Sequence, residues 1–241
     1  MLGAASLASL LGAGSAAANF HLMKIREVST GSSTDTSYVE LQMWTAGQNY
    51  LNGHTIKLYN GSALTHTFTF PSMPVPAVPN AANQSTILVG DTNAAGTPDF
   101  TESGFVVNAA AGAACFDSIP VDCVSWGTGT TATLPGSAGS PASALSSGMA
   151  LRRSIAAGCS TLLESGDDTD SSAADFSLTT PDPRNNSVTP TEMPCAPAGG
   201  GGGPAGYPAP APGYPSAKKK RCKKHKSTGA YAAKKKCKKR K

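Results

Sequence analysis

The composition breaks sharply near residue 196, and that break limits what this chain can fold into. Residues 196–217 read APAGGGGGPAGYPAPAPGYPSA, a Gly/Pro linker with Gly-Tyr-Pro at 206–208 and again at 213–215. Such a segment cannot bury a core and is expected to stay disordered. Pro-rich chain favours extended polyproline geometry, so it can span on the order of 50–70 Å. Behind it, residues 218–241 carry Lys218, Lys219, Lys220, Arg221, Lys223, Lys224, Lys226, Lys234, Lys235, Lys236, Lys238, Lys239, Arg240 and Lys241, with no Asp or Glu. KKKRCKK at 218–224 is echoed by KKKCKKR at 234–240. Like charges at this density repel and stay solvated. The folded part must therefore lie before 196. Residues 1–217 hold 6 basic and 15 acidic groups, a net of −9, so the overall +5 averages an acidic body and a +14 tail. With 15% charged residues the chain is too charge-poor for a coiled coil, while 39% hydrophobic residues suffice for one modest core.

Residues 1–18, MLGAASLASLLGAGSAAA, have no charged side chain. Leu2, Leu7, Leu10 and Leu11 form a short apolar run, and Ala16-Ala17-Ala18 supplies the small residues of a signal-peptidase site. The segment reads as a secretory signal cut after about Ala18, although no Lys or Arg precedes the apolar run. A membrane span needs about 20 strongly apolar residues, and this run is rich in Ala, Gly and Ser. No transmembrane span is expected after cleavage.

Six cysteines, Cys115, Cys123, Cys159, Cys195, Cys222 and Cys237, agree with export. Six allow about 15 pairings. Pairing of sequence neighbours is the most economical: Cys115 with Cys123 across FDSIPVD, Cys159 with Cys195, and Cys222 with Cys237.

The body, 19–195, is punctuated by turn residues, including Asn52-Gly53 and Asn60-Gly61. Between them lie candidate strands at 22–28, 38–43, 54–59, 65–70, 86–89, 105–107, 121–126 and 149–153. Val39, Leu41 and Met43 share one face of their segment, while Tyr38, Glu40 and Gln42 share the other, the period-two signature of a strand. No amphipathic helix is evident; Ala109–Ala114 is short and interrupted by glycine. Many short strands at this spacing predict an all-β sandwich or barrel.

Several blocks share an order and spacing with a known family: KIREV at 24–28, YVEL at 38–41, VDCVSWG at 121–127, SSGMALRRS at 146–154, and DDTDSSAADFSLTTPDPRNNS at 167–187. Together they resemble the bacterial lamin-tail domain family over about residues 22–187. The run from Asp168-Thr169-Asp170 through Ala174-Asp175-Phe176 to Pro181-Asp182-Pro183 is the most specific part. The resemblance implies an immunoglobulin-like β-sandwich, without enzymatic activity as a rule, acting as a surface, matrix-binding or scaffold module. The chain departs from the family where a Gly-Trp turn is usual. Asn52-Gly53-His54 stands there instead, with His54 expected to fill the tryptophan's space. Fold resemblance alone is a weak guide to function.

Glu27 and Glu40 are expected to pair with Arg152 or Arg153 rather than to act as acid and base, since no partner histidine is evident. Asp122 reads as a turn or cross-strand partner. Asp167, Asp168, Asp170 and Asp175 form an acidic, Ser-rich loop, and hard carboxylate oxygens of this kind are candidate calcium ligands. Counted from Asp168, the sixth and twelfth positions are Ala173 and Thr179, which excludes an EF-hand. The same side chains serve equally as acceptors for backbone N–H groups in irregular turns. His21, His54, His66 and His225 sit in no zinc motif. Cys222, His225 and Cys237 lie among lysines that would repel a dication. No nucleophile elbow or phosphate-binding glycine loop occurs, and Gly199–Gly203 precedes no helix. No cofactor is expected beyond possible calcium.

The tail binds polyanions through charge, with a steep salt dependence of about −0.9 per phosphate on duplex DNA. Only Tyr231 among the tail residues could stack on a base. The expectation is a secreted or envelope-associated, non-enzymatic module. Its sandwich takes an unidentified protein or glycan ligand, and its tail holds an anionic envelope polymer. The rival is an intracellular nucleic-acid-binding protein. A hydrolase with its site in loop 71–104 is a remote third.

Overall fold

The computed structural model describes residues 21–33, 35–72, 77–118, 120–129 and 131–196. The chain divides into a unit of residues 1–196 and a second of 197–241. The first is an all-β sandwich. Its strands are β1 (Met23–Ser29), β2 (Tyr38–Met43), β3 (Thr55–Asn60), β4 (Ala63–Thr69), β5 (Thr86–Gly90), β6 (Phe100–Thr101), β7 (Ala111–Asp117), β8 (Asp122–Gly127), β9 (Ala150–Arg153) and β10 (Phe176–Thr179). One sheet runs β10-β9-β1-β2-β5-β6 and the other β4-β3-β7-β8. All ladders are antiparallel except the short β5–β6 pair. The helical content described is one turn at Ser165–Asp167 and α1 (Ser172–Asp175).

Alternation places the core. Met23, Ile25, Val28, Val39, Leu41 and Met43 face the second sheet and meet Ile56, Leu58, Phe116, Val124 and Trp126. The aromatic cluster Phe68–Phe70–Phe100 continues that layer, with edge-on contacts of Phe70 to Phe68 (4.9 Å) and Phe100 (5.3 Å) and a tilted Phe68–Phe100 contact at 5.9 Å. His54 is buried beside Phe116 (6.0 Å between ring centroids) and His21 (4.3 Å).

Three segments differ from expectation. Residues 105–107 form no strand. Gly104 turns the chain at φ +83°, Phe105 N–H closes that turn onto the Glu102 carbonyl, and Val107 N–H goes to the Ser37 hydroxyl. Phe105 and Val107 still reach the core. Ala111–Asp117 is a central strand despite its Ala/Gly composition. Its neighbour demands small side chains: a Cβ on Gly112 would lie 2.8 Å from the Trp126 ring. Tertiary packing thus overrides weak β propensity. Phe176–Thr179, anticipated only as part of a motif, forms the sheet edge.

Cys115 and Cys123 sit directly opposite each other on β7 and β8 and are disulfide-bonded; Cys159 is bonded to Cys195. Residues 1–18, the linker 196–217 apart from Ala196, the tail cations, Cys222 and Cys237 lie outside the described residues. Replacing Cys115 and Cys123 together by alanine is expected to lower stability by about 2–3 kcal/mol, the loop-closure value for so short a loop. Urea denaturation checks this, and an unchanged midpoint would contradict it.

Candidate functional site

Strand β1 begins with its apolar residues in register, Met23 then Ile25, and then slips. Ile25 faces Leu41 but Glu27 faces Glu40, so Arg26 is the extra residue of a β-bulge. A bulge re-aims side chains and often marks a functional edge. Here it separates two charged networks.

The first network lies at the rim between the sheets. The Arg153 guanidinium is fully buried. It meets Asp122 at 2.7 Å, Asp168 at 3.0 Å and Asp175 at 3.7 Å, and its Nε donates to the Ile25 carbonyl at 3.0 Å. The Phe176 ring lies 4.6 Å below it. Asp122 also accepts the Ile25 N–H at 2.5 Å, joining β8 to β1 across the sandwich. Lys24 pairs with Asp168 and stands 3.9 Å from Asp122. Burial opposes ionisation of Asp168, but Arg153 and Lys24 outweigh it and hold the carboxyl at about 2. On Arg153 burial opposes the charge too, and Asp122 and Asp168 more than compensate, raising its pKa.

This accounts for the acidic loop. Asp167 accepts the N–H groups of Ala156 (2.7 Å) and Glu164 (2.8 Å). Asp168 faces Arg153 and Lys24. Asp175 accepts from Thr169 N–H (2.9 Å) and hydroxyl (2.6 Å). Asp170 is exposed, in the left-handed region at φ +56°. Three of the four carboxylates, those of Asp167, Asp168 and Asp175, serve the chain's own amides, hydroxyls and cations. Among the described residues no three His, Cys, Asp or Glu side chains are grouped to hold a metal ion.

The second network lies on the outer face of the first sheet. Glu27 and Glu40, directly opposite each other, are almost fully buried. What covers them is the segment after β10. Pro181 and Pro183 have no N–H, so along Pro181-Asp182-Pro183-Arg184 only residues 182 and 184 can donate. Asp182 N–H donates to Glu27 (3.0 Å) and Arg184 N–H to Glu40 (2.7 Å). The strap continues with Asn186, whose side chain donates to the Thr86 carbonyl (2.9 Å) and whose N–H reaches Asp99 (2.9 Å). It ends at Thr161, whose N–H donates to the Met193 carbonyl (2.9 Å), and at the Cys159–Cys195 bond. Glu27 pairs with Arg152 as expected. Glu40 instead meets Arg184 (3.6 Å), and the expected partner Arg153 turns inward to the first network. Burial pushes Glu40 up to about 8, against the pull of Arg184.

Two adjoining clefts open beside the strap. One, about 200 Å³, is lined by Arg26, Glu40, Arg152, Asp182, Arg184, Thr191 and Glu192. The other, about 590 Å³, shares Arg26, Thr191 and Glu192 and runs along residues 155–161. Sequence reasoning passed over Arg26, Arg184 and Glu192. One signal was present in the sequence: the apolar spacing from Met23 to Val28 breaks by one at Arg26. Arg184 and Glu192 carried none, because only the strap's path brings them here.

Comparison of the chain with protein-family models, curated proteins and solved structures returns no match.

Proposed function

We propose that this is an exported, non-enzymatic binding or structural protein: a lamin-tail-like, immunoglobulin-type sandwich carried on a Gly/Pro spacer and held on an anionic polymer of the cell envelope by its basic tail. The observation that carries the reading is the segregation of charge, fourteen cations without a carboxylate in the last 24 residues behind a body of net −9. Two disulfides in the body support an oxidising compartment. The ionisable groups of the sandwich support a structural role for themselves. Arg153 pairs with Asp122, Glu27 with Arg152 and Glu40 with Arg184, and Asp122 and Glu40 also accept from backbone amides.

Cell fractionation tests the proposal. Full-length protein is expected to remain with the envelope and to be released by salt, with a mature N-terminus near Asn19. A 1–217 truncation is expected in the medium. Equal retention of the truncation removes the tail as the anchor. An uncleaved protein found with nucleic acid inside the cell favours nucleic-acid binding through the same cations.

A further inference from the structure

We infer that the cleft at the Arg26 bulge receives a singly charged oxyanion on a saccharide chain, the carboxylate of a uronic acid or a sulfate ester. This deepens the function proposed above and rests on its reading of an anionic envelope polymer as the partner.

The inference comes from counting donors and acceptors. A guanidinium carries about five N–H donors and no acceptor. Arg26 makes one hydrogen bond among the described residues, to the Arg153 carbonyl, and no carboxylate lies within ion-pair distance of it. Arg152 uses its Nε on Glu27. Its buried Nη2 has no hydrogen-bond partner among the described residues and lies 3.4 Å from Asp182 in an ion pair alone. Three of the carboxyl groups around the cleft are already engaged, and the fourth, Asp182, is exposed to water and among the described residues pairs with Arg152 alone. Glu27 accepts from Tyr38, Arg152 and Asp182 N–H, and Glu40 from Arg184 N–H. Glu192 accepts from Arg184 (2.7 Å), Gln42 (2.8 Å) and Thr191 N–H (2.9 Å). Around Arg26 donors remain that no described carboxylate reaches, so a ligand that satisfies them must bring oxygen acceptors. Burial pulls the Arg26 pKa below its ordinary value. Its cation has lost water without gaining a paired anion, a cost that an oxyanion offsets through charge-assisted hydrogen bonds.

The charge balance disfavours a multiply charged ligand. Three guanidinium groups, on Arg26, Arg152 and Arg184, stand beside four carboxyl groups, on Glu27, Glu40, Asp182 and Glu192, and burial favours the protonated form of Glu40, so the cleft has no surplus of positive charge to hold a phosphate cluster. The neighbouring groove indicates what carries the oxyanion. Ala156, Ala157, Gly158, Ser160 and Thr161 offer small side chains, hydroxyls and main chain. It provides hydrogen-bonding walls for a sugar and no deep apolar pocket for the side chains of a bound peptide.

The test is calorimetric titration of the full-length protein with a uronic-acid disaccharide, its methyl ester, a sulfated disaccharide and a short peptide with a free C-terminal carboxylate. The tail is present throughout, so differences between variants report the cleft. Arg26→Gln is expected to weaken binding of the acid by about tenfold, the loss of a charge-assisted contact. Arg26→Lys, which keeps the charge and loses the fork, is expected to fall between. The methyl ester is expected to bind as weakly to wild type as the acid does to Arg26→Gln. Preference between acid and sulfate ester names the source. Equal affinity of wild type and Arg26→Gln, an ester as tight as the acid, or a peptide tighter than either saccharide overturns the inference. Should Arg26→Gln fail to fold, as judged by Tm, the Lys variant decides, its acid affinity compared with that of wild type. Retention of the tail truncation is a separate reading, so either idea can fail while the other stands.

Discussion

Arg153→Ala is expected to lower unfolding free energy by about 3–5 kcal/mol, the range for breaking a buried ion pair from one side. The guanidinium is the cation that Asp122, Asp168 and Asp175 share, and it also caps the Ile25 carbonyl. Without it, Asp122 stays buried at 2% exposure with only the Lys24 ammonium, 3.9 Å away, as a counter-charge. The penalty is that of an uncompensated buried charge, more than the value of the bonds removed. Urea denaturation at neutral pH measures the loss, and a drop below about 1 kcal/mol would show that the network does not hold the sheets together. A control separates charge from packing: Asp122→Asn combined with Arg153→Met removes both charges and is expected to recover part of the loss. The network also sets an acid limit. Because Asp168 is held at about 2 in the fold, its contribution is complete above the unfolded carboxylate's ordinary value of 3.8 and disappears as pH falls toward 2.

Glu40 acts in the opposite direction and in a separate pH window. Its folded pKa of about 8 exceeds its ordinary 4.5. Between those values the folded protein keeps a proton that the unfolded chain releases. Stability from this group is therefore full below about 4.5 and falls as pH rises through 8. The shift corresponds to a few kcal/mol over that interval, at about 1.4 kcal/mol for each pH unit. Glu40→Gln keeps an acceptor for Arg184 N–H and cannot ionise. Its stability is expected to change little between pH 5 and 8, and to exceed that of wild type at pH 9. Taking the difference between the two proteins cancels the histidines and every other group common to both. Parallel pH profiles would mean that Glu40 is ionised throughout.

Much of this architecture was legible as alternation. Tyr38-Val39-Glu40-Leu41-Gln42-Met43 declares both a strand and its inner face, and the fold follows that pattern residue for residue. The disulfides follow sequence proximity because Cys115 and Cys123 flank a turn between paired strands. The alanine-rich β7 was hidden because its composition answers to the Trp126 ring, which lies on another strand. The strand expected at 105–107 was misleading for the reverse reason. Its apolar residues are core residues, but Gly104 and the Ser37 hydroxyl take the backbone out of any ladder.

The candidate cleft was less legible than the fold. Arg152 or Arg153 could be named in advance as partners of Glu27 and Glu40, but only the register of β1 on β9 sets Glu27 opposite Arg152. Arg184 and Glu192 could not, since they belong to a strap without periodicity. Its route depends on two prolines that leave only the 182 and 184 amides free to donate, and on two glutamates buried to receive them. The acidic run 167–175 could be read as calcium ligands or as turn acceptors. The choice among its uses depended on Arg153 turning inward from β9 and on Lys24 arriving from a strand 144 residues away in sequence.

The sequence by itself determined the all-β class, the inner faces of its strands and the separation of an acidic body from a basic tail. Those are properties of local pattern and composition, written in neighbouring residues. Only the tertiary structure decided which charges meet, which carboxylates lose their water and which guanidinium is left with donors to spare. Each of those depends on distances between segments up to about 155 residues apart. Hydrogen bonds and ion pairs act over a few ångströms, so no spacing along the chain encodes them.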